Sequence, residues 1–363
     1  MEPNAAMADF RTVRDFELRC RELLPPPVFE NLFGQYGDPE WTALTSNIAA
    51  FQSIKLRPRV LTGARHRSLR TSVLGVDVDL PVLVGPTGSV DALDVGGQLP
   101  SLRGAGAAGT ISVNPCLSEA PLREVAEQAR GPFWAQVWIF EDRMVTEYLV
   151  EQAEAVGAAA VVVTVSNAGA PYWRTDRGGP RPPTWGSYRN LPAAALDGYP
   201  HGRTPTRREL NLSVDAGATW ADIDRLRAST SLPLVVKGIQ TAEDAELAAA
   251  HGVAGVVVSN HGGRFLQATR GTIESLPEVV AAVGDEVEVY VDGGIRQGTD
   301  VLVALALGAR AVLIGRPALW GLIAGGEAGV ERVLGILAYE LDAAMGLCGV
   351  HDVRAVPREL VHA

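Results

Sequence analysis

Ala254-Gly255-Val256-Val257-Val258-Ser259-Asn260-His261-Gly262-Gly263-Arg264 is a short apolar run that breaks, at a serine, into a loop holding an imidazole, two glycines and a guanidinium. The apolar part does not alternate with polar residues, as expected of a strand buried on both faces. Seven further runs of this kind occur, at 80–84, 109–113, 133–139, 159–165, 232–236, 287–291 and 311–314, each followed by a helix-compatible stretch. Thr241-Ala242-Glu243-Asp244 reads as a capped helix start before 245–250, and a second helix begins after Gly298, over 299–307. Eight buried strands alternating with helices predict a closed α/β architecture, the (β/α)8 TIM barrel. A doubly wound sheet would want a GxGxxG turn after its first strand, and Gly85-Pro86-Thr87-Gly88 lacks that spacing.

One barrel accounts for the whole chain, 1–363. Residues 1–70 precede the first barrel strand and read as a helical arm, with a short strand after Arg57-Pro58-Arg59, expected to cover the barrel floor. Residues 167–216, between the fourth and fifth strands, are rich in proline, glycine and arginine, a composition that opposes regular structure. A long irregular loop at the C-terminal rim of a barrel suits a lid over a substrate, or a surface loop with no role.

The chain has 363 residues, 47% of them hydrophobic, and a formal net charge of -10. That charge argues against a nucleic-acid or anionic-membrane partner and for a small-molecule substrate. Cys20, Cys116 and Cys348 lie far apart without a CxxC pair, so neither a disulfide framework nor a metal centre is suggested, and a cytoplasmic location fits. Asp9, Arg11, Arg14 and Asp15 give the N-terminus a mixed charge without the apolar core of a signal peptide.

Chemistry gathers at the ends of the last four strands. Asp292-Gly293-Gly294-Ile295-Arg296 and Gly315-Arg316-Pro317 follow the seventh and eighth, where barrels commonly bind phosphate through backbone N–H groups, with Arg296 and Arg316 available to the same anion. These motifs alone suit a flavin phosphate or a sugar phosphate equally. Lys237, ending the fifth strand among Val235, Val236, Gly238 and Ile239, is an isolated cation that needs an anionic or electron-rich partner; an ion pair, a Schiff base and a cofactor edge all qualify. His261 directly follows the sixth strand, three residues before Arg264, with glycines that leave room for a ligand.

This set, in this order, resembles the FMN-dependent α-hydroxy-acid oxidases and dehydrogenases, which oxidise glycolate, lactate and mandelate. The likeness runs without gaps from about Leu56 to Asp142 and from about Trp220 to Val350. It implies an FMN cofactor held by Pro86, Thr87 and Gly88, by Gln136 on the third strand and Thr164 on the fourth, by Lys237 at the flavin N1/O2 edge, and by Asp292, Gly293, Gly294, Arg296, Gly315 and Arg316 at the phosphate end. It makes His261 the base, taking the substrate's hydroxyl proton in a hydride mechanism or the Cα proton in a carbanion one, and Arg264 the anchor of the substrate carboxylate. Reduced flavin would pass its electrons to O2 or another acceptor, and the family implies a homo-oligomer, a tetramer.

The sequence departs from that pattern around the substrate. Trp138 stands where the family has a tyrosine, Ser166 where it has the aspartate that orients the histidine, Asn31 for another tyrosine and Pro115 for a serine. Arg174 lies one position from the second substrate arginine, and Phe265-Leu266-Gln267 replaces Gln-Leu-Asp. A serine cannot supply the aspartate's charge, so turnover of glycolate or lactate is expected to be poor. Trp138, with Tyr172 and Trp173 on the lid, offers an aromatic wall for an aryl substrate, or simply packs. The leading expectation is an FMN-dependent oxidoreductase acting on a CH–OH or CH–NH group. The alternatives are a flavin-dependent tailoring enzyme of secondary metabolism, performing decarboxylation, oxygenation or isomerisation, and a catalytically impaired flavin-binding homologue.

Overall fold

All eight apolar runs contain a strand, and the strands close on one another. A computed structural model describes residues 7, 9–33, 43–88, 93, 95–118, 120–167, 190–191 and 214–362. The barrel strands are β1 (Val82–Val84), β2 (Ser112–Pro115), β3 (Phe133–Trp138), β4 (Ala160–Thr164), β5 (Leu234–Ile239), β6 (Gly255–Val258), β7 (Glu288–Asp292) and β8 (Ala311–Ile314). They are parallel and paired in sequence order, with β8 returning to β1 through Leu313 opposite Leu83. Among the described residues three arm helices come first, α1 (Val13–Leu23), α2 (Pro26–Phe33) and α3 (Ala43–Ser53). A helix then follows each strand: α4 (Leu99–Ala107), α5 (Leu122–Gln128), α6 (Arg143–Ala155), α7 (Trp220–Ser229), α8 (Ala242–Ala250), α9 (Thr272–Val283), α10 (Gly298–Ala306) and α11 (Arg316–Cys348). The last is broken at Gly325 and Gly326, whose backbones leave helical geometry.

Alternate strand residues serve two cores, which is why the runs are mainly apolar. Leu83, Val113, Trp134, Val162, Val235, Val257, Tyr290 and Leu313 point into the barrel, while Val82, Val84, Val161, Val163, Val256 and Val258 pack against the helices outside. Thr241 caps α8 by accepting the Asp244 N–H, as expected, and α10 begins at Gly298.

Three expectations need correction. The described part of the arm does not cover the floor: an antiparallel hairpin, Thr71–Val73 with Val76–Val78, does so, since Val73 and Val78 join the inner core. Helix α3 lies instead at the opposite, C-terminal rim, so close to the His261 loop that a Cβ on Gly263 would collide with the backbone of Leu44. The second strand starts later than the apolar run because Gly109 occupies a left-handed turn, φ 71°, with Asp79 filling the place of a side chain. The fifth strand does not end at Lys237 but continues to Ile239, with a register shift at Gly238, φ 130°, where a Cβ would sit 2.7 Å from the Ser166 nitrogen.

Most of the 167–216 segment lies outside the described residues, including Tyr172, Trp173 and Arg174. Its described parts are tied down. Asn190 donates to the Cys116 carbonyl and accepts the N–H of Leu122, and Arg143 pairs with Asp215 at the end of the segment and with Asp222 just beyond it, at 2.5 and 2.7 Å. Among the described residues no helix is long and apolar enough to cross a membrane.

Candidate active site

The strand register sets Trp138 beside Thr164 and Thr164 beside Lys237, one row along the β3, β4 and β5 ends. His261 stands in the loop after β6, in a 3-10 turn and with a left-handed backbone, φ 56°. That conformation is unfavourable for a side chain with a Cβ and persists only where neighbours fix it. Here the His261 N–H donates to Ser259 Oγ at 3.1 Å, and the Asn260 side chain accepts the Gly263 N–H at 3.0 Å. Ser259 Oγ also accepts from Lys237 Nζ at 2.8 Å, so the lysine and the imidazole loop share one buried hydroxyl.

Three side chains among the described residues meet the imidazole. Ser166 Oγ lies 2.9 Å from Nδ1. The Trp138 rings are stacked on it, 5.8 Å between centroids and 14° between planes, and Phe265 meets it edge-on at 4.7 Å. In the tautomer that donates its Nδ1 proton to Ser166, Nε2 keeps a lone pair. Burial, and then the positive charges of Lys237, Arg264 and Arg316, hold the His261 pKa well below the ordinary histidine value. The group is therefore neutral at neutral pH, the state in which it can accept a proton.

Lys237 has a partner in the protein, Asp292 of β7, at 2.7 Å. The ion-pair reading of this lysine thus holds, and the pair sits where the resemblance puts the flavin. Among the described residues Asp292 Oδ1 has no hydrogen-bond partner, nor do Gln136 Nε2 and Thr164 Oγ1, although all three atoms are buried. Buried polar atoms are rarely left so, and three facing one barrel mouth point to a polar ligand. Arg296 lies over the Trp320 ring at 5.0 Å and donates to the carbonyl of Ile295, and burial pulls its pKa down to about 10. The negative charges of Glu17 and Asp300 act against that pull, so the guanidinium stays protonated and can hold an anion. Gly293 and Gly294, φ 88° and 92°, press against Asn47, and a Cβ on Gly315 would stand 3.5 Å from the Thr87 methyl. Pro86, Thr87 and Gly88 follow β1 directly, and the Thr87 carbonyl accepts from Gln98.

Arg264 and Arg316 do more than the sequence foretold. Arg264 Nη1 donates to the Leu32 carbonyl at 2.7 Å, and Arg316 to the carbonyls of Phe33 and Gly262, both at 2.9 Å. Both guanidinium groups therefore satisfy carbonyls at the C-terminal end of α2 and sew the arm to the His261 loop.

Sequence reasoning missed Asn47. Its amide and that of Asn260 exchange two hydrogen bonds, 2.9 and 2.8 Å, and Asn47 Oδ1 also accepts the Thr272 N–H at 3.0 Å, so one side chain holds both ends of the His261 loop. The partners are 213 residues apart, and no local motif joins them. Asn47→Ala strands two buried donors at about 1–3 kcal/mol each. The FMN-loaded protein is expected to melt several degrees lower, and an unchanged Tm would show that the amide pair does not support the loop.

The family described as FMN-dependent dehydrogenase matches residues 20–363. The chain belongs to that family. It is 40% identical to 2-hydroxyacid oxidase 1 of Homo sapiens over 358 residues, 96% of this chain and 95% of the human one. Among solved structures it resembles mandelate oxidase with (S)-4-hydroxymandelic acid, TM-score 0.87 and 37% identity over 97% of this chain and 98% of that one. It also resembles an active mutant of (S)-mandelate dehydrogenase, TM-score 0.88 and 32% identity over 98% and 99%. The protein is accordingly an FMN-dependent oxidoreductase of the 2-hydroxy-acid oxidase family, acting on CH–OH groups. Its unpartnered Gln136, Thr164 and Asp292 atoms and its buried Arg296 fit that cofactor.

Proposed function

We propose that the enzyme oxidises an aryl 2-hydroxy acid, with His261 as the base and Arg264 as the carboxylate anchor. The observation that carries this reading is the shell around the imidazole: a neutral His261 between Trp138 and Phe265, with Ser166 on Nδ1. The mandelate enzymes it resembles act on ring-bearing hydroxy acids, and flat apolar walls suit such a ring. When bound, FMN supplies the two-electron acceptor. Gln136, Thr164 and Lys237 would hold its ring system, Pro86, Thr87 and Gly88 would line it, and Asp292, Gly293, Gly294, Arg296, Gly315 and Arg316 would hold its phosphate end. Arg264 fixes the carboxylate, Trp138 and Arg174 border the substrate, and His261 Nε2 takes the proton. Electrons pass on to O2 or another acceptor. The same proposal includes one FMN-binding domain over 1–363 with an arm at 1–70 and a lid at 167–216, a homotetramer, a cytoplasmic location and a role in secondary metabolism. The seams between α3, Gly263 and Gly294 support the arm as part of that domain.

The test is anaerobic bleaching of the bound flavin by a panel of hydroxy acids and amines. Rapid bleaching by mandelate-like acids and slow bleaching by glycolate is the expected result, and no bleaching by any hydroxy acid would sink the proposal. Ser166→Asp gives a second test. A carboxylate against Nδ1 favours the imidazolium and raises the pKa of His261. The base works deprotonated, so the acidic limb of kcat/KM should move to higher pH and turnover of glycolate and lactate should rise. An unmoved limb would mean that Ser166 has no bearing on the base.

A further inference from the structure

The departures at Trp138, Ser166 and Phe265 converge on one ring. All three side chains touch the His261 imidazole. The charged groups that act on it from the elements around it are Lys237 of β5, Arg264 of its own loop and Arg316 at the start of α11, and all are cations. The one carboxylate of this cluster, Asp292 of β7, is paired with Lys237, and among the described residues none bonds the imidazole. A proton taken by Nε2 therefore creates a cation among cations, with two favourable contacts: the Ser166 oxygen on Nδ1 and the face of the Trp138 indole.

We propose that the Trp138 indole is the positioning and charge-supporting partner of protonated His261, doing by a cation–π contact what an anionic side chain would do by ion pairing. The geometry suits it. The two rings are nearly parallel, 14°, with centroids 5.8 Å apart, inside the range of about 6 Å over which an aromatic face attracts a cation, and tryptophan has the most negative face of the natural side chains. Ser166 offers Nδ1 a hydrogen bond without charge, and Phe265 meets the imidazole edge-on. The three substitutions thus form one unit, in which an aromatic face takes over the support of the charge that forms. The inference rests on His261 being the base.

The test replaces Trp138, at that codon alone, with mono-, di- and trifluorotryptophan. Fluorine drains the negative face of the indole while hardly changing its bulk. The expected result is a stepwise fall in kcat for both an aliphatic and an aryl 2-hydroxy acid, about threefold to thirtyfold across the series. Alongside it the acidic limb of kcat/KM should move to lower pH, as should the His261 titration followed by NMR without substrate. A flat series, with Trp138→Leu nevertheless impaired, would reduce the indole to packing and overturn the proposal. So would a change confined to KM for the aryl acid, which is the signature of a ring that touches only substrate. His261→Ala serves as the control arm: if it still bleaches the flavin at the parental rate, the base assignment itself has failed, whereas lost bleaching with a flat fluorine series sinks only the role of the indole.

Discussion

His261→Ala is expected to slow substrate-driven bleaching of the flavin by about two to four orders of magnitude, the usual worth of a positioned general base, while FMN remains bound. The two effects separate because the groups that fit the cofactor stand on other strands: Gln136 on β3, Thr164 on β4, Asp292 on β7 and Arg296 after it. The left-handed backbone at residue 261 stays strained with alanine, but Ser259 Oγ, Asn260 and the Asn47 amide still hold the loop, so its carbonyls and Arg264 keep their places. The pH profile carries further information. Burial and three neighbouring cations depress the His261 pKa, so the acidic limb of the parent enzyme should lie below the ordinary histidine value and activity should persist into mildly acidic solution. The variant should lose that limb, and added imidazole should restore part of the rate through the gap between Trp138 and Phe265. Stopped-flow absorbance under nitrogen reads all of this. Bleaching at the parental rate would mean that the proton leaves by another route.

The barrel was legible because its strands are buried on both faces, which writes each as a short, mainly apolar run, and because the loop after β6 carries its chemistry in consecutive residues. The floor was not. The hairpin that seals it is only Thr71–Val73 and Val76–Val78, too short for a periodic signal, so the arm before it took its place in the expectation. The C-terminal bounds of β5 escaped for a related reason: Gly238 reads as a strand breaker, yet its missing Cβ is what lets Ser166 pass. At the site, residue types announced His261, Lys237 and Asp292, whereas Asn47 depends on long-range packing that no spacing encodes. Ser166 and Phe265 were visible as departures, but their meeting on one imidazole with Trp138 needed three dimensions.

Lys237→Ala is expected to be the most damaging change to the fold at this site. The Lys237 side chain is 5% exposed and that of Asp292 13%, and each is the other's partner at 2.7 Å. Removing one member of such a pair leaves a buried charge uncompensated, at about 3–5 kcal/mol. Asp292 would then have neither oxygen paired, since Oδ1 already lacks a partner, and Ser259 Oγ would lose the donor that helps hold it under the His261 N–H. The damage should therefore appear twice, as a large drop in urea midpoint for the FMN-free protein and as weakened FMN binding. The two effects can be pulled apart. Lys237→Met with Asp292→Asn removes both charges and keeps most of the volume, and such replacements are often neutral or stabilising. That double variant should recover the urea midpoint while its flavin still bleaches far more slowly than the parent's, because the positive charge proposed for the flavin edge is gone. Should Lys237→Ala unfold at the parental midpoint, the pair contributes nothing to the fold. Should the double variant bleach at the parental rate, the lysine serves the barrel and not the chemistry, and the electrostatic part of the site would have to rest on Arg264, Arg296 and Arg316 alone.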